Sequence, residues 1–155
     1  MVDFQAAKIF FGEHHPLFNA MGIKISRCNE GVAVMMMPFS KQLTDHRGAL
    51  HRGVMVTLLD TTCGLAIFSA LKSMRPIATI DLRVDYLRPI PAGAGLEAIV
   101  ECVGTTATVA FIVGKAISTQ DSGVVATVSG SFAIDTLGPS FDSVDLRQIQ
   151  EVKNA

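Results

Sequence analysis

The sequence predicts an α+β domain, a curved antiparallel sheet wrapped around one long buried helix. Three observations carry this reading. Residues 53–71 form an almost unbroken apolar run without proline, too long for an ordinary strand. Six shorter runs read as strands, with turn-forming residues between them. The 155 residues are 49% apolar and 17% charged, enough for one well-buried core in one domain, 1–155.

The elements follow in order. Phe4, Ala7, Phe10 and Phe11 repeat at helical spacing, so 2–11 is expected to be helical and to stop near Gly12. His14-His15-Pro16 breaks it, and 1–21 reads as an N-terminal helical segment. Residues 23–28 and 32–37 are a strand pair around an Asn29-Glu30-Gly31 hairpin turn. Residues 41–49 are polar and contain Gly48, hence a loop. The run at 53–71 is apolar around nearly its whole circumference, which predicts a helix buried on all sides. Runs at 77–87, 95–103, 106–118 and 124–134 are the remaining strands. In the first of them Ile80, Leu82 and Val84 alternate with Asp81, Arg83 and Asp85, a period of two. Gly138-Pro139 ends the packed body, leaving 140–155 as a more polar tail. A single curved sheet has edges, and pairing with a second copy is the natural way to cover them.

Composition narrows the function classes. A formal net charge of −1 and the lack of any basic tract argue against nucleic acid as a partner. Asp60, Thr57, Thr61 and Thr62 interrupt the one long apolar run, so no membrane span is expected. Three scattered cysteines, Cys28, Cys63 and Cys102, read as reduced core thiols of a cytoplasmic protein. The four histidines show no metal-ligand spacing, and no metal or other cofactor is expected.

The most informative stretch is His51-Arg52-Gly53 running into Thr57-Leu58-Leu59-Asp60. A carboxylate inside a core helix needs a reason to be there. The start of a helix exposes unpaired N–H groups and partial positive charge, suited to a carbonyl that gains negative charge. Gly53 lets a substrate approach the backbone closely. Asp60, among Val56, Leu59, Cys63 and Gly64, is the candidate base or nucleophile. Gly53 and Asp60 are about 10 Å apart along one helix. That is too far for both to serve one carbonyl, so the site is expected between two chains. The plainer alternative is that Asp60 merely bonds Thr57, Thr61 or a facing amide. His51 reads as a helix-capping residue before a base, and Cys63 as a core thiol before a nucleophile.

These residues resemble the His-Gly-Gly, Thr-Leu, Asp signature of hotdog-fold acyl-CoA thioesterases, the phenylacetyl-CoA-type and small acyl-CoA group. Residues 78–89, ending Tyr86-Leu87-Arg88-Pro89, resemble that family's central strand, and Gly48 also fits. The likeness spans roughly 22–132. It implies hydrolysis of an acyl-CoA or acyl-carrier thioester by a homodimer or a dimer of dimers, without metal or redox cofactor. It implies Asp60 as base or nucleophile, and the amides of Arg52 and Gly53 as polarisers of the carbonyl. Thr79 would position water or substrate, Asp45 would lie beside the thioester, and Arg88 and Thr106 would line the CoA arm. His51 and Arg52 complete the expected substrate-contacting set, and Arg52, Arg75, Arg83 and Lys72 are further candidates for the CoA phosphates. Two positions depart from the pattern. Arg52 replaces the first Gly of the pair, placing a long cation at the helix mouth, and Asp45 stands where many relatives carry Asn. The rival readings are a non-catalytic thioester-binding domain and a hydratase or dehydratase of the same fold.

Overall fold

The computed structural model describes residues 15–73 and 75–137. Within them the order is α1 (Pro16–Met21), β1 (Lys24–Asn29), β2 (Val32–Met37), a 3-10 turn (Lys41–Leu43), α2 (Arg52–Leu71), β3 (Ile77–Tyr86), β4 (Leu96–Thr105), β5 (Val109–Ser118) and β6 (Val124–Ile134). The expected helix at 2–11 and the tail at 140–155 lie outside the described residues. Helix α1 has a local cause: Pro16 fits a first helical position, where no N–H is needed, and Gly22 closes the helix at φ 67°.

The strands form one sheet in the order β1-β2-β4-β5-β6-β3, and every pairing is antiparallel. Glu30 and Gly31 both have positive φ, the two-residue turn that suits the twist of a hairpin. The Gly31 N–H then donates to Ser69 Oγ at 3.0 Å, tying that turn to the end of α2. Alternate sheet residues such as Met35, Met37, Leu96, Ala98, Val100 and Ile112 are buried against α2.

Two expectations need correction. Helix α2 is not buried on all sides. From Leu58 to Ser69 every residue but Asp60 is buried, whereas His51, Arg52 and Gly53 are exposed and Val54, Val56 and Thr57 only half-buried. Exposure gathers in the first turns, where only Met55 is buried, so the apolar circumference does not predict their burial. By length and composition α2 is also apolar enough to cross a membrane, despite its interruptions, but 67% of that window is enclosed within the fold. Ile80 is the second correction. A β-bulge between Thr79 and Asp81 takes it out of the ladder and leaves it 59% exposed. The period of two resumes afterwards, with Leu82 and Val84 packed on the core.

Strand β3 ends up at a sheet edge because the chain crosses from it to β4 on the far side of β5 and β6. Its outer rim presents Ile80, Asp81, Arg83 and Asp85 to solvent.

Candidate functional site

Asp60 lies in the third turn of α2, on the face toward β3. The threonines beside it are already engaged along the helix. Thr57 Oγ1 donates to the Gly53 carbonyl at 3.1 Å, Thr61 Oγ1 to the Thr57 carbonyl at 2.7 Å, and Thr62 Oγ1 to the Leu58 carbonyl at 2.7 Å. The carboxylate instead finds its partner across the fold, where Thr79 Oγ1 donates to Asp60 Oδ1 at 2.9 Å. A cavity of about 400 Å³ opens beside this pair. Phe18, Phe68, Phe132 and Gly64 form much of its wall, and His15, stacked on Phe18 at 3.7 Å, completes one side. A charged oxygen bordering an aromatic-walled space is suited to act on a substrate whose apolar part fills that space.

The helix mouth is built differently from the expectation. His51 caps α2, and its Nδ1 accepts the Gly53 N–H at 3.0 Å. That amide is therefore engaged. A Cβ on residue 53 would come within 3.1 Å of His51 Nδ1, so glycine here makes room for the imidazole. The Arg52 N–H has no partner among the described residues and is the open donor of the first turn. The Arg52 side chain turns aside, its guanidinium carbon 4.8 Å from the centre of the Tyr86 ring.

Comparison with known proteins decides the family. The family model of the thioesterase superfamily matches residues 47–125, from the loop before α2 to the start of β6. The chain belongs to the thioesterase superfamily. A Halobacterium salinarum protein provisionally named an esterase is 37% identical over 105 residues, 64% of this chain and 70% of that protein. A thioesterase family protein from Silicibacter pomeroyi superposes with a TM-score of 0.75 at 25% identity, covering 83% of this chain and 95% of the other. The Escherichia coli PaaI protein, from the phenylacetic acid degradation operon, shares the fold with a TM-score of 0.76 at 24% identity over 88% and 94% of the two chains. The hotdog architecture is thus that of the superfamily, and thioester hydrolysis is the class of chemistry these relationships support.

Several residues expected at a thioesterase site have structural partners instead. Asp45 is held by Arg47, with Nη2 to Oδ2 at 2.6 Å, Nε to Oδ2 at 3.0 Å and the Arg47 N–H to Oδ1 at 2.9 Å. These bonds hold its carboxyl down at about 2, so it is a loop-ordering anion. Arg88 makes a two-pronged contact with Asp121 at 2.9 and 2.7 Å and donates to the Val124 carbonyl at 3.2 Å. Its fork fastens the β5–β6 turn. Thr106 Oγ1 donates to the Val109 carbonyl and accepts the Val109 N–H at 3.0 Å, ordering the β4–β5 turn. Arg75 is paired with Asp135 and Arg83 with Asp85, while Lys72 forms the left-handed C-cap of α2. Cys63 is buried, and burial, reinforced by the Asp60 charge, pushes its thiol well above its ordinary range. It is an inert core thiol.

The cavity wall and Tyr86 are what sequence reasoning missed. Phe18, Phe68 and Phe132 come from α1, α2 and β6, and no local spacing links them. The aromatic-Leu-Arg-Pro turn did mark Tyr86, but as part of a strand end and not as the support of Arg52.

Proposed function

We propose that this chain hydrolyses acyl-CoA-type thioesters at a site shared by two copies. The observation that carries the proposal is the Asp60 carboxylate, held by Thr79 and bordering the aromatic-walled cavity. The acyl group occupies the cavity. Asp60 takes a proton from water, and the water oxygen attacks the thioester carbon. The Arg52 N–H of the partner subunit hydrogen-bonds the carbonyl oxygen as it becomes negative. Collapse of the intermediate breaks the C–S bond, and the thiolate leaves and takes up a proton. The products are a free acid and a thiol. Direct attack by Asp60, through an anhydride that water then cleaves, gives the same products.

The pairing of two copies through β3 is supported by where that strand's contacts lie. At its start Thr79 holds Asp60, and at its end Tyr86 holds Arg52 at the helix mouth. Antiparallel pairing of two β3 edges about a twofold axis sets the end of one beside the start of the other. Between Asp81 and Asp85, past the bulge, inward residues stay opposite inward residues only when paired numbers sum to an even value. An axis at Leu82 places Asp81 opposite the partner's Arg83. Axes at Asp81 or at Arg83 instead set like charges face to face. The Leu82 register therefore joins one chain's helix mouth to the other's Asp60. We place this dimer, with its free thiols, in the cytoplasm.

A complementation assay tests both parts of the proposal. Asp60→Asn removes the base. Arg52→Pro removes the open N–H and is tolerated at a first helical position. Each variant alone should lose thiol release from a panel of acyl-CoAs. Unfolded together and refolded, they should recover about a quarter of the wild-type rate, from one intact site in half of the dimers. Full activity in Asp60→Asn removes Asp60 from the mechanism. Two inactive variants that never complement refute the shared site. Acyl-CoA binding without turnover in the wild type favours the non-catalytic reading.

A further inference from the structure

Arg52 is the residue of the helix mouth that the hydrolysis reading leaves without a side-chain role. Arg47, Arg75, Arg83 and Arg88 each contact an aspartate. Arg52 contacts no carboxylate among the described residues. It is exposed and lies over Tyr86. A contact with a ring takes up no guanidinium N–H in a hydrogen bond, and the Arg52 guanidinium makes none to another described residue. Those donors lie within one side-chain length of the Arg52 N–H, beside Tyr86 at the end of β3.

We infer that Arg52, supported by Tyr86, binds the first amide of a pantetheine-type thiol arm. The inference rests on the hydrolase reading and assigns the thiol side of the same site. A thioester has two arms. The cavity beside Asp60 is walled by aromatic rings and takes the apolar acyl arm. The thiol arm must then leave along the open helix mouth. Two methylenes separate the sulfur of a pantetheine arm from its first amide. About seven bonds separate that amide oxygen from the thioester oxygen, and about seven separate the terminal guanidinium nitrogens from the Arg52 nitrogen, so the two reaches match. The CoA phosphates are many bonds further on, out of reach of this side chain. A planar fork donates well to an amide oxygen, and Arg52 neutralises no charge on the protein that it would have to give up. The arginine that departs from the His-Gly-Gly signature thus becomes a reader of the thiol arm.

The test uses one acyl group on four thiols: CoA, pantetheine, N-acetylcysteamine and propanethiol. Only the last lacks the amide. Arg52→Gln should lower the ratio of kcat/KM for the N-acetylcysteamine ester over the propanethiol ester by about tenfold, mainly through KM. Arg52→Lys should restore part of that ratio, and Tyr86→Leu should reproduce part of its loss. An unchanged ratio overturns the assignment, whether both rates fall together or neither falls. So does a loss confined to the CoA ester, which would place Arg52 on the phosphates. A wild type that turns over none of the four esters fails the hydrolase reading instead. The amide contact is then read from the affinities of the N-acetylcysteamine and propyl thioether analogues, and their ratio must fall in Arg52→Gln for the assignment to stand.

Discussion

Replacing Thr79 with Val isolates the hydrogen bond that orients the proposed base. Valine keeps the β-branched shape that suits β3 and removes only the hydroxyl that donates to Asp60 Oδ1 at 2.9 Å. A hydrogen bond to a charged group contributes about 1.5–3 kcal/mol. Thr79 is exposed and Asp60 half-buried, so solvent screens the pair. About 1–1.5 kcal/mol is the appropriate figure, close to a tenfold change in rate. We expect kcat at neutral pH to fall about tenfold in Thr79→Val, with KM within about twofold of wild type. Stability should move by no more than about 0.5 kcal/mol in urea unfolding, because residue 79 is not part of the core. Thr79→Ser, which keeps the donor, should recover most of the rate. Steady-state thiol release measures all three proteins. A Thr79→Val enzyme as fast as wild type would refute the orienting role. So would a Ser variant as slow as the Val variant, since the hydroxyl would then not be the cause.

Two other predictions concern the frame around the site. Cys63 is buried with a raised thiol pKa, so iodoacetamide at pH 8 should leave it unlabelled in the folded protein and modify it fully in urea, as read by peptide mass spectrometry; rapid native labelling would revive Cys63 as a nucleophile. Gly130→Ala should destabilise the fold by about 3 kcal/mol in urea unfolding, because the new Cβ would sit 2.4 Å from the Asp81 carbonyl and force β6 away from β3; a change below about 0.5 kcal/mol would mean that the two strands separate freely.

How far the sequence could be read depended on the range of each interaction. The strands at 32–37 and 124–134 and the end of α2 at Leu71 lie where hydrophobic pattern and turn residues put them, since both signals are local. The His51 cap is local too, a contact between residues 51 and 53. Its consequence for Gly53 was not legible, because a motif marks an N–H as present without showing that a neighbouring ring already holds it. Arg88 and Asp121 stand 33 residues apart, and only the strand order brings them together. A free arginine and one clamped across a turn look identical in sequence. The bulge at Ile80 hides for a related reason, because a strict alternation of apolar and charged residues accommodates one extra residue without any change of composition.

The threonines of α2 bear most directly on why Asp60 is where it is. Had Thr57 or Thr61 donated to the carboxylate, Asp60 would be satisfied within its own helix, and a structural role would account for it. Both hydroxyls donate instead to carbonyls four residues back. That arrangement removes nearby donors which would otherwise compete for the acid. A carboxylate accepts at about four lone-pair positions, and Thr79 occupies one of them. Among the described residues the acid is thus held by a single bond from another element, at the border of a cavity. One bond fixes an orientation, and the remaining lone pairs are left for water. For a purely structural aspartate this is a poor solution, since the helix has hydroxyls close by that donate to carbonyls instead. For the proposed base, which must keep a lone pair toward an attacking water, this arrangement suits the chemistry.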